Sequence, residues 1–191
     1  MKKVLITLCL IVMSCTMTFA KSLADEGNTN VLKENANAVL EINYSNAIYR
    51  QYHTFQSEKV VDFPPKGERD AESFVEFFNK STPGMKATTS ADGAKYKFLI
   101  ELTKIRKDLG MWAPASERIQ LWGTVKVINQ ETGATECTFT LKKFQGRDRY
   151  GDDNAYANTF SHLGENIARK VSGSTKTNIA EEGKNATEKD E

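Results

Sequence analysis

The sequence predicts an α+β fold, a two-layer sandwich in which a mixed sheet of about five strands carries two helices on one face. Two segments have apolar residues at helical spacing, and the segments between them alternate apolar and polar residues. A helix with one apolar stripe needs a sheet face to cover, and a half-apolar strand needs that cover on one side. The expected order is strand, helix, four strands and helix, with residues 46–69 left open.

Both predicted helices have recognisable boundaries. The first begins at Asp70, whose carboxylate can cap free backbone N–H groups, and ends at the STPG run of residues 81–84. Its apolar stripe consists of Phe74, Val75, Phe77 and Phe78. The second helix follows three residues able to cap it, Asp152, Asp153 and Asn154. Its stripe recurs at steps of three and four, namely Tyr156, Phe160, Leu163, Ile167 and Val171.

Five segments are predicted to be strands. The first is Val39–Ser45, and a short strand near Met85–Thr88 follows the first helix. Residues 95–103, residues 119–128 and the segment around Cys137 are the next three strands. The last two are joined through a turn at Asn129–Gly133 and are predicted to form an antiparallel meander. The residues expected to face the helices are Tyr96, Phe98, Ile100, Leu102, Ile119, Leu121, Val125, Val127, Cys137, Phe139 and Leu141.

Residues 46–69 favour two interpretations. Ile48, Tyr52 and Phe55 have helical spacing, whereas Val60-Val61 and Pro64-Pro65 favour extended structure and a turn. A stretch of this length without structure would be unusual, so we expect a short element within it.

The chain is expected to contain one domain, over residues 37–171. Residues 21–36 lack periodicity and are predicted to be a mobile leader. Residues 172–191 have almost no apolar side chains, so they cannot bury enough surface to become ordered and are predicted to be a disordered polar tail.

The first twenty residues have the layout of a secretory signal. Lys2 and Lys3 precede an apolar run from Val4 to Met13, which is half the roughly twenty residues needed to cross a bilayer. Small residues one and three positions before the cut favour cleavage after Ala20. We therefore expect an exported protein, periplasmic or extracellular, without a transmembrane segment.

A lipoprotein is the alternative. Val12-Met13-Ser14-Cys15 resembles the small-residue box that ends in a lipidated cysteine, which would make Cys15 the anchor. Met13 fits that box poorly, and the apolar Met17 and Phe19 would lie where a polar tether is usual. Free secretion is therefore favoured.

The charge balance argues against a nucleic-acid partner. The whole chain has a formal charge of +1, and loss of Lys2 and Lys3 leaves 24 basic residues against 25 acidic ones. A nucleic-acid binder normally shows a basic excess because phosphate contacts supply most of its affinity. The composition predicts a mixed, solvated surface.

No motif predicts catalysis, a metal or a cofactor. The sequence has no G-x-S-x-G, H-E-x-x-H, P-loop or G-x-G-x-x-G pattern, and the spacing of His53 and His162 does not suggest a metal site. Cys137 lies on an apolar strand face, which favours a buried hydrophobic residue over a reactive thiol. The oxygen donors Asp148, Asp152, Asp153 and Asn154 do not match an EF-hand, and helix capping explains them.

Two runs carry a family resemblance: AKYKFLIELTKIRKDLG, and IQLWGTVKVINQETGATECTFTLKKFQG followed by an amphipathic helix. They resemble a largely uncharacterised group of exported proteins from Bacteroides-type bacteria. More distantly, the arrangement is similar to periplasmic domains of envelope lipoproteins and accessory proteins. The resemblance covers residues 38–171 and implies compartment and topology, but no catalytic residues.

The candidate binding residues are apolar side chains at positions that alternation places away from the helices. Trp122, Ile128 and Leu99 lie on that face, and the loop over residues 107–116 adds Met111 and Trp112. Tryptophan is a frequent anchor of interfaces. Coverage of this face by the leader, by residues 46–69 or by the loop itself is the competing explanation.

Two functional hypotheses follow. The favoured one is a non-enzymatic exported domain that binds a protein or a cell-envelope component through this face. The alternative is a small-ligand carrier or enzyme with a pocket between the helices and the sheet, suggested by the aromatic residues of the helical stripes.

Overall fold

The computed structural model describes residues 23–53, 56–60, 69–109, 118–146 and 155–172. The strands are β1 (Leu23–Gly27), β2 (Asn37–Asn43), β3 (Ile48–His53), β4 (Gln56–Val60), β5 (Lys86–Thr88), β6 (Tyr96–Leu109), β7 (Arg118–Asn129) and β8 (Thr135–Gln145). The helices are a 3₁₀ helix (Thr29–Lys33), α1 (Asp70–Ser81) and α2 (Ala155–Ser172). The predicted α+β class, with a mixed sheet and two helices, is confirmed.

The long strand β6 organises the sheet. β7 pairs antiparallel along one side of β6, β8 continues the meander, and β1 pairs antiparallel with β8. On the other side, β2 and β3 pair in parallel with successive halves of β6. β5 lies parallel to β2, and β4 lies antiparallel to β3. The described chain thus forms eight strands in one sheet, against the five expected.

The leader prediction is wrong for the residues that the structure describes. Residues 23–27 form β1, and the buried side chains of Leu23, Val31 and Leu32 join the core. Lys170 of α2 also forms a 2.6 Å ion pair with Asp25 of β1. Strand β1 is held mainly by backbone pairing with β8 and has no alternating apolar face. The sequence therefore shows no periodicity that would have predicted it.

Of the two interpretations of residues 46–69, the extended one holds for the residues that the structure describes. Residues 48–53 and 56–60 form the extended pair β3 and β4 instead of a helix, and residues 61–68 lie outside the described part of the chain. Tyr49 of β3 faces the core, where it is buried opposite the buried Ile105.

The helices cover one face of the sheet through aromatic packing. Phe74 and Phe78 of α1 contact Phe98 of β6 edge-on, with ring centroids 5.7 and 5.0 Å away. Thr159 and His162 of α2 hydrogen-bond backbone carbonyls of β7 and β8. Both predicted stripes contribute to the core through their fully buried members Phe74, Phe78, Phe160, Leu163 and Ile167. Phe77 is the exception, because it is only partly buried and has the Lys80 Nζ atom over its ring.

Asp70 begins α1 as expected but does not cap it. The cap position is Arg69, and no side chain caps the helix. Asp70 is buried in the first turn, where its Oδ2 atom accepts a hydrogen bond from the Tyr44 hydroxyl. Burial, and then the bond to Asp70, raise the pKa of Tyr44 above its usual range. The carboxylate therefore fastens α1 to the end of β2, in a position that the helix dipole favours.

The described residues include no helix that is long and apolar enough to cross a membrane. The predicted signal over residues 1–20, the capping residues 152–154 and nearly all of the predicted tail lie outside the described part of the chain.

We predict that Gly164→Ala destabilises the protein by about 1–3 kcal/mol, as overpacking does. A Cβ atom at Gly164 would lie 2.5 Å from the carbonyl oxygen of Phe74, so α1 and α2 would have to separate. Ser161→Ala on the same helix is the control. Chemical denaturation measures both variants. Helix propensity alone favours alanine over glycine by about 1 kcal/mol, so a stabilised Gly164→Ala variant would contradict the close packing.

Candidate functional site

The helix-free face of the sheet carries the described members of the predicted binding set. Leu121 and Val125 are fully buried beneath the helices, so Trp122 between them projects to the other face. Leu99, between the buried Phe98 and Ile100, projects the same way. Ile128 follows the buried Val127 on β7. All three side chains are partly buried, while Met111 and Trp112 lie outside the described residues.

Each of these three apolar side chains lies directly opposite a lysine. The cross-strand pairs between β6 and β7 are Leu99 with Lys126, Lys97 with Ile128, and Lys104 with Trp122. The Lys104 Nζ atom lies 4.7 Å from the Trp122 ring centroid, which is a cation–π distance. Lysine stems thus cover apolar surface while their charged ends stay in water.

The binding set is not one continuous patch. Leu99 and Ile128 are diagonal neighbours, but the pair Glu101 and Thr124 lies between them and Trp122. Lys97 and Lys126 are held in ion pairs with Glu41 and Glu101, at 3.0 and 2.5 Å. This part of the helix-free face is therefore balanced in charge.

Around Trp122 the strand register builds a second arrangement, which we name the cationic half. Its members form three rows across β4, β3, β6 and β7. The first row is Ile48, Lys104 and Trp122; the second is Val60, Arg50, Arg106 and Gln120; the third is Tyr52, Asp108 and Arg118.

Contacts within the cationic half order the Arg106 side chain. Arg106 Nε lies 2.5 Å from Asp108 Oδ1, and its guanidinium carbon lies 4.5 Å from the Tyr52 ring centroid. Arg106 is thus fixed by a charged hydrogen bond and a stacked ring at once.

Gln120 provides a buried polar group in the same half. Its side chain is only 4% exposed, and its Nε2 atom donates to Gln145 Oε1 at 3.0 Å. Among the described residues its Oε1 atom has no hydrogen-bond partner. A buried acceptor without a donor is costly.

Two residues that the sequence analysis did not select are exposed here. Ile48 is 50% exposed and Val60 is 64% exposed, although both are large apolar residues. The sequence did not indicate this exposure, because β3 places the apolar Ile48 and the aromatic Tyr52 on its helix-free face. A half-buried strand usually carries polar residues on that face.

The competing explanation is that the leader or residues 46–69 cover the helix-free face. The described parts of these two segments are strands of the sheet itself. Strand β1 extends one edge of the sheet, whereas β3 and β4 lie at the opposite side of β6 and β7. Both segments therefore enlarge the sheet instead of crossing its helix-free face. Residues 61–68 and 110–117, which the same explanation includes, lie outside the described residues. The 4% exposure of Gln120 shows that this face is covered at that residue.

The layer between helices and sheet is filled by side chains. Phe74, Phe98, Phe139 and Phe160 are fully buried there. This packing counts against the alternative hypothesis of a ligand pocket in that layer.

The cysteine and histidine candidates that the structure describes have surroundings typical of structural residues. Cys137 is buried, and burial raises the pKa of its thiol to about 12, which disfavours the reactive thiolate. The His162 ring shares a 2.9 Å hydrogen bond with the Gln145 carbonyl. No cluster of three metal-ligating side chains occurs among the described residues, and the group from Asp148 to Asn154 lies outside them.

Comparison with known proteins gives similarity in fold only. No family model and no curated protein matches the chain. The PelC dodecamer of Paraburkholderia phytofirmans is 12% identical, with a TM-score of 0.41 over 78% of this chain and 94% of that one. A Xanthomonas campestris protein of the DUF330 family is 13% identical, with a TM-score of 0.40 over 76% and 88%. A hypothetical protein of Chlamydia trachomatis is 13% identical, with a TM-score of 0.30 over 72% and 95%.

We predict that Trp122→Ala lowers the free energy of unfolding by less than about 3 kcal/mol, the lower bound for truncating a core aromatic residue. Trp122 faces away from the helices and loses mainly its contact with Lys104. Phe98→Ala, inside the aromatic core, should cost about 3–5 kcal/mol. Denaturation at constant m-value compares the two. Equal losses would place Trp122 in the core and remove it from the binding face.

Proposed function

We propose that this chain is an exported, non-enzymatic domain that binds a partner protein or a cell-envelope component through the cationic half of its sheet. The observation that carries the proposal is the exposure of Ile48 and Val60, which lie directly opposite Lys104 and Arg50 in the sheet. The other large apolar side chains that the burial data cover are buried or partly buried, so two exposed ones on the same surface favour a contact site.

The residue types of the cationic half are those that interfaces favour. Trp122, Tyr52 and Arg106 belong to the three residue classes that most often dominate binding energy. Tyr52 and Trp122 are already stacked against Arg106 and Lys104, so little side-chain entropy remains to be lost on binding. The surface is therefore largely preorganised.

The test is affinity capture from cell-envelope extracts with wild type, Trp122→Ala and Ile128→Ala. We expect wild type and Ile128→Ala to recover the same partner, because Ile128 lies on the same face but outside the cationic half. Trp122→Ala should recover several-fold less of it while retaining the wild-type circular dichroism spectrum. Equal recovery of every partner by all three proteins would overturn the proposed surface.

Export itself has a separate test. We propose cleavage after Ala20, which leaves two residues before β1, whose first residue Leu23 is buried against the core. The mature protein should begin at Lys21, as read by N-terminal sequencing, and should not incorporate a palmitate analogue. Incorporation that disappears in Cys15→Ser would show instead that the protein is a lipoprotein, with seven residues between Cys15 and β1.

A further inference from the structure

We infer that the outer edge of strand β1 pairs antiparallel with β1 of a second copy of this chain, with a two-fold axis at Asp25. This edge lies beyond β8, outside the cationic half, so the inference does not depend on the proposed function. The direction of the β1 backbone groups, their spacing and the charges beside them support it.

The hydrogen bonds to β8 show which β1 backbone groups point away from the sheet. Directly after the antiparallel pairing of β1 with β8, the Asn28 backbone N–H donates a 2.8 Å hydrogen bond to the Glu136 carbonyl. In an antiparallel ladder, residues that bond to the partner strand alternate with residues whose N–H and C=O groups point the other way. Asn28 bonds to β8, so the residues with outward backbone groups are Leu23, Asp25 and Gly27.

Within the described part of the chain, no strand covers the outer edge of β1. It is the last strand of the sheet on its side, and its Asp25, Glu26 and Gly27 are exposed. Natural sheets protect such edges with proline, unpaired charges or a covering segment. β1 contains no proline, and its Asp25 carboxylate is paired with Lys170. At the β5 edge, in contrast, the Asn79 side chain occupies the backbone groups that a further strand would need.

The outward residues are arranged symmetrically about Asp25. A two-fold axis there places Asp25 opposite its own copy and Leu23 opposite Gly27 of the second copy, so all three residues pair at once. Moving the axis by one residue would leave one of them without a partner in the other β1. Each such pair of an antiparallel ladder exchanges two hydrogen bonds. The edge is therefore complementary to itself, as an isologous interface requires.

The charges beside the edge favour a second copy as the partner. Like charges directly opposite each other on a sheet are destabilising, and the axis brings two Asp25 carboxylates together. Each carboxylate, however, forms a 2.6 Å ion pair with Lys170 of α2. Two aspartates and two lysines thus meet at the axis without net charge. Glu26 lies opposite position 24 of the second copy, an alanine, and meets no like charge there.

The length of the edge sets the strength of the contact. β1 has five residues, and the φ angle of 89° at Gly27 ends its extended backbone. Few backbone hydrogen bonds therefore form between the copies. We expect a reversible dimer rather than a permanent one.

The first test measures association of the full-length protein by sedimentation velocity, from about 1 to about 300 µM, a range that covers a weak dimer. Asp25→Pro removes the outward N–H and leaves the hydrogen bonds between β1 and β8 in place, because proline is tolerated where its N side faces away from the sheet. It should weaken the dimer about tenfold or more, since each copy loses one hydrogen bond. Asp25→Ala is the matched control. It loses the same ion pair with Lys170 but keeps the N–H, so its dimer should stay within about threefold of wild type.

The second test is independent of the stability of the proline variant. Residues in a hydrogen-bonded antiparallel pair have Cα atoms about 5.5 Å apart, which a disulfide can join. Asp25→Cys should therefore form a disulfide between two copies under mild oxidation, about tenfold faster than Glu26→Cys. The two-fold axis places the Cα atoms of the two Glu26 residues about 8 Å apart, beyond disulfide range. The wild-type protein, with its three native cysteines, gives the background.

Any one of three results would overturn the inference. They are a protein that stays monomeric at every concentration, a dimer of Asp25→Pro as stable as that of Asp25→Ala, and equally fast cross-linking of Asp25→Cys and Glu26→Cys. If Asp25→Pro does not fold, the cross-linking rates decide. None of these results affects the proposed function, which envelope capture with Trp122→Ala tests separately.

Discussion

The close approach of Gly123 to β6 decides which side chains face the helices and which form the candidate site. The φ angle of Gly123 is 152°, and a Cβ atom there would lie 2.1 Å from the carbonyl oxygen of Glu101. At this point Thr103 forms a bulge in β6, so Leu102 and Ile105 both face the core. Without that bulge Lys104 and Arg106 would point into the aromatic layer, where burial costs several kcal/mol for each unpaired ion.

The parts of the fold that the sequence predicted are those in which side-chain burial and local spacing agree. Strand β7 keeps its alternation, and α2 keeps its apolar stripe, so both could be found without the structure. β1 and β3 could not, for different reasons. β1 depends on backbone pairing with β8, whereas β3 buries Tyr49 and leaves Ile48 exposed. Its apolar residues Ile48 and Tyr52 therefore had helical spacing, and the sequence left a helix and an extended structure as alternatives.

The candidate site shows the same division between local and long-range information. Alternation was sufficient to place Trp122, Leu99 and Ile128 on the helix-free face. It could not show that Arg50 lies opposite Arg106, because those residues are far apart in the chain and meet only through the parallel pairing of β3 with β6. The expectation of a mixed, solvated surface followed from total charge. It is consistent with the region around Lys97 and Lys126, which form ion pairs with Glu41 and Glu101.

A side chain of α1 blocks the outer edge of the sheet at β5, so another strand cannot pair with β5 there. The Asn79 carboxamide of α1 accepts a hydrogen bond from the Ala87 amide at 2.8 Å and donates one to the Ala87 carbonyl at 2.9 Å. It therefore occupies both backbone groups that an added strand would need. A side chain of α1 thus protects this edge from strand addition, while Ile48 and Val60 stay exposed. Backbone pairing is thus prevented at the β5 edge, whereas the helix-free face presents side chains. Recognition by that face depends on side-chain chemistry and not on strand addition at β5.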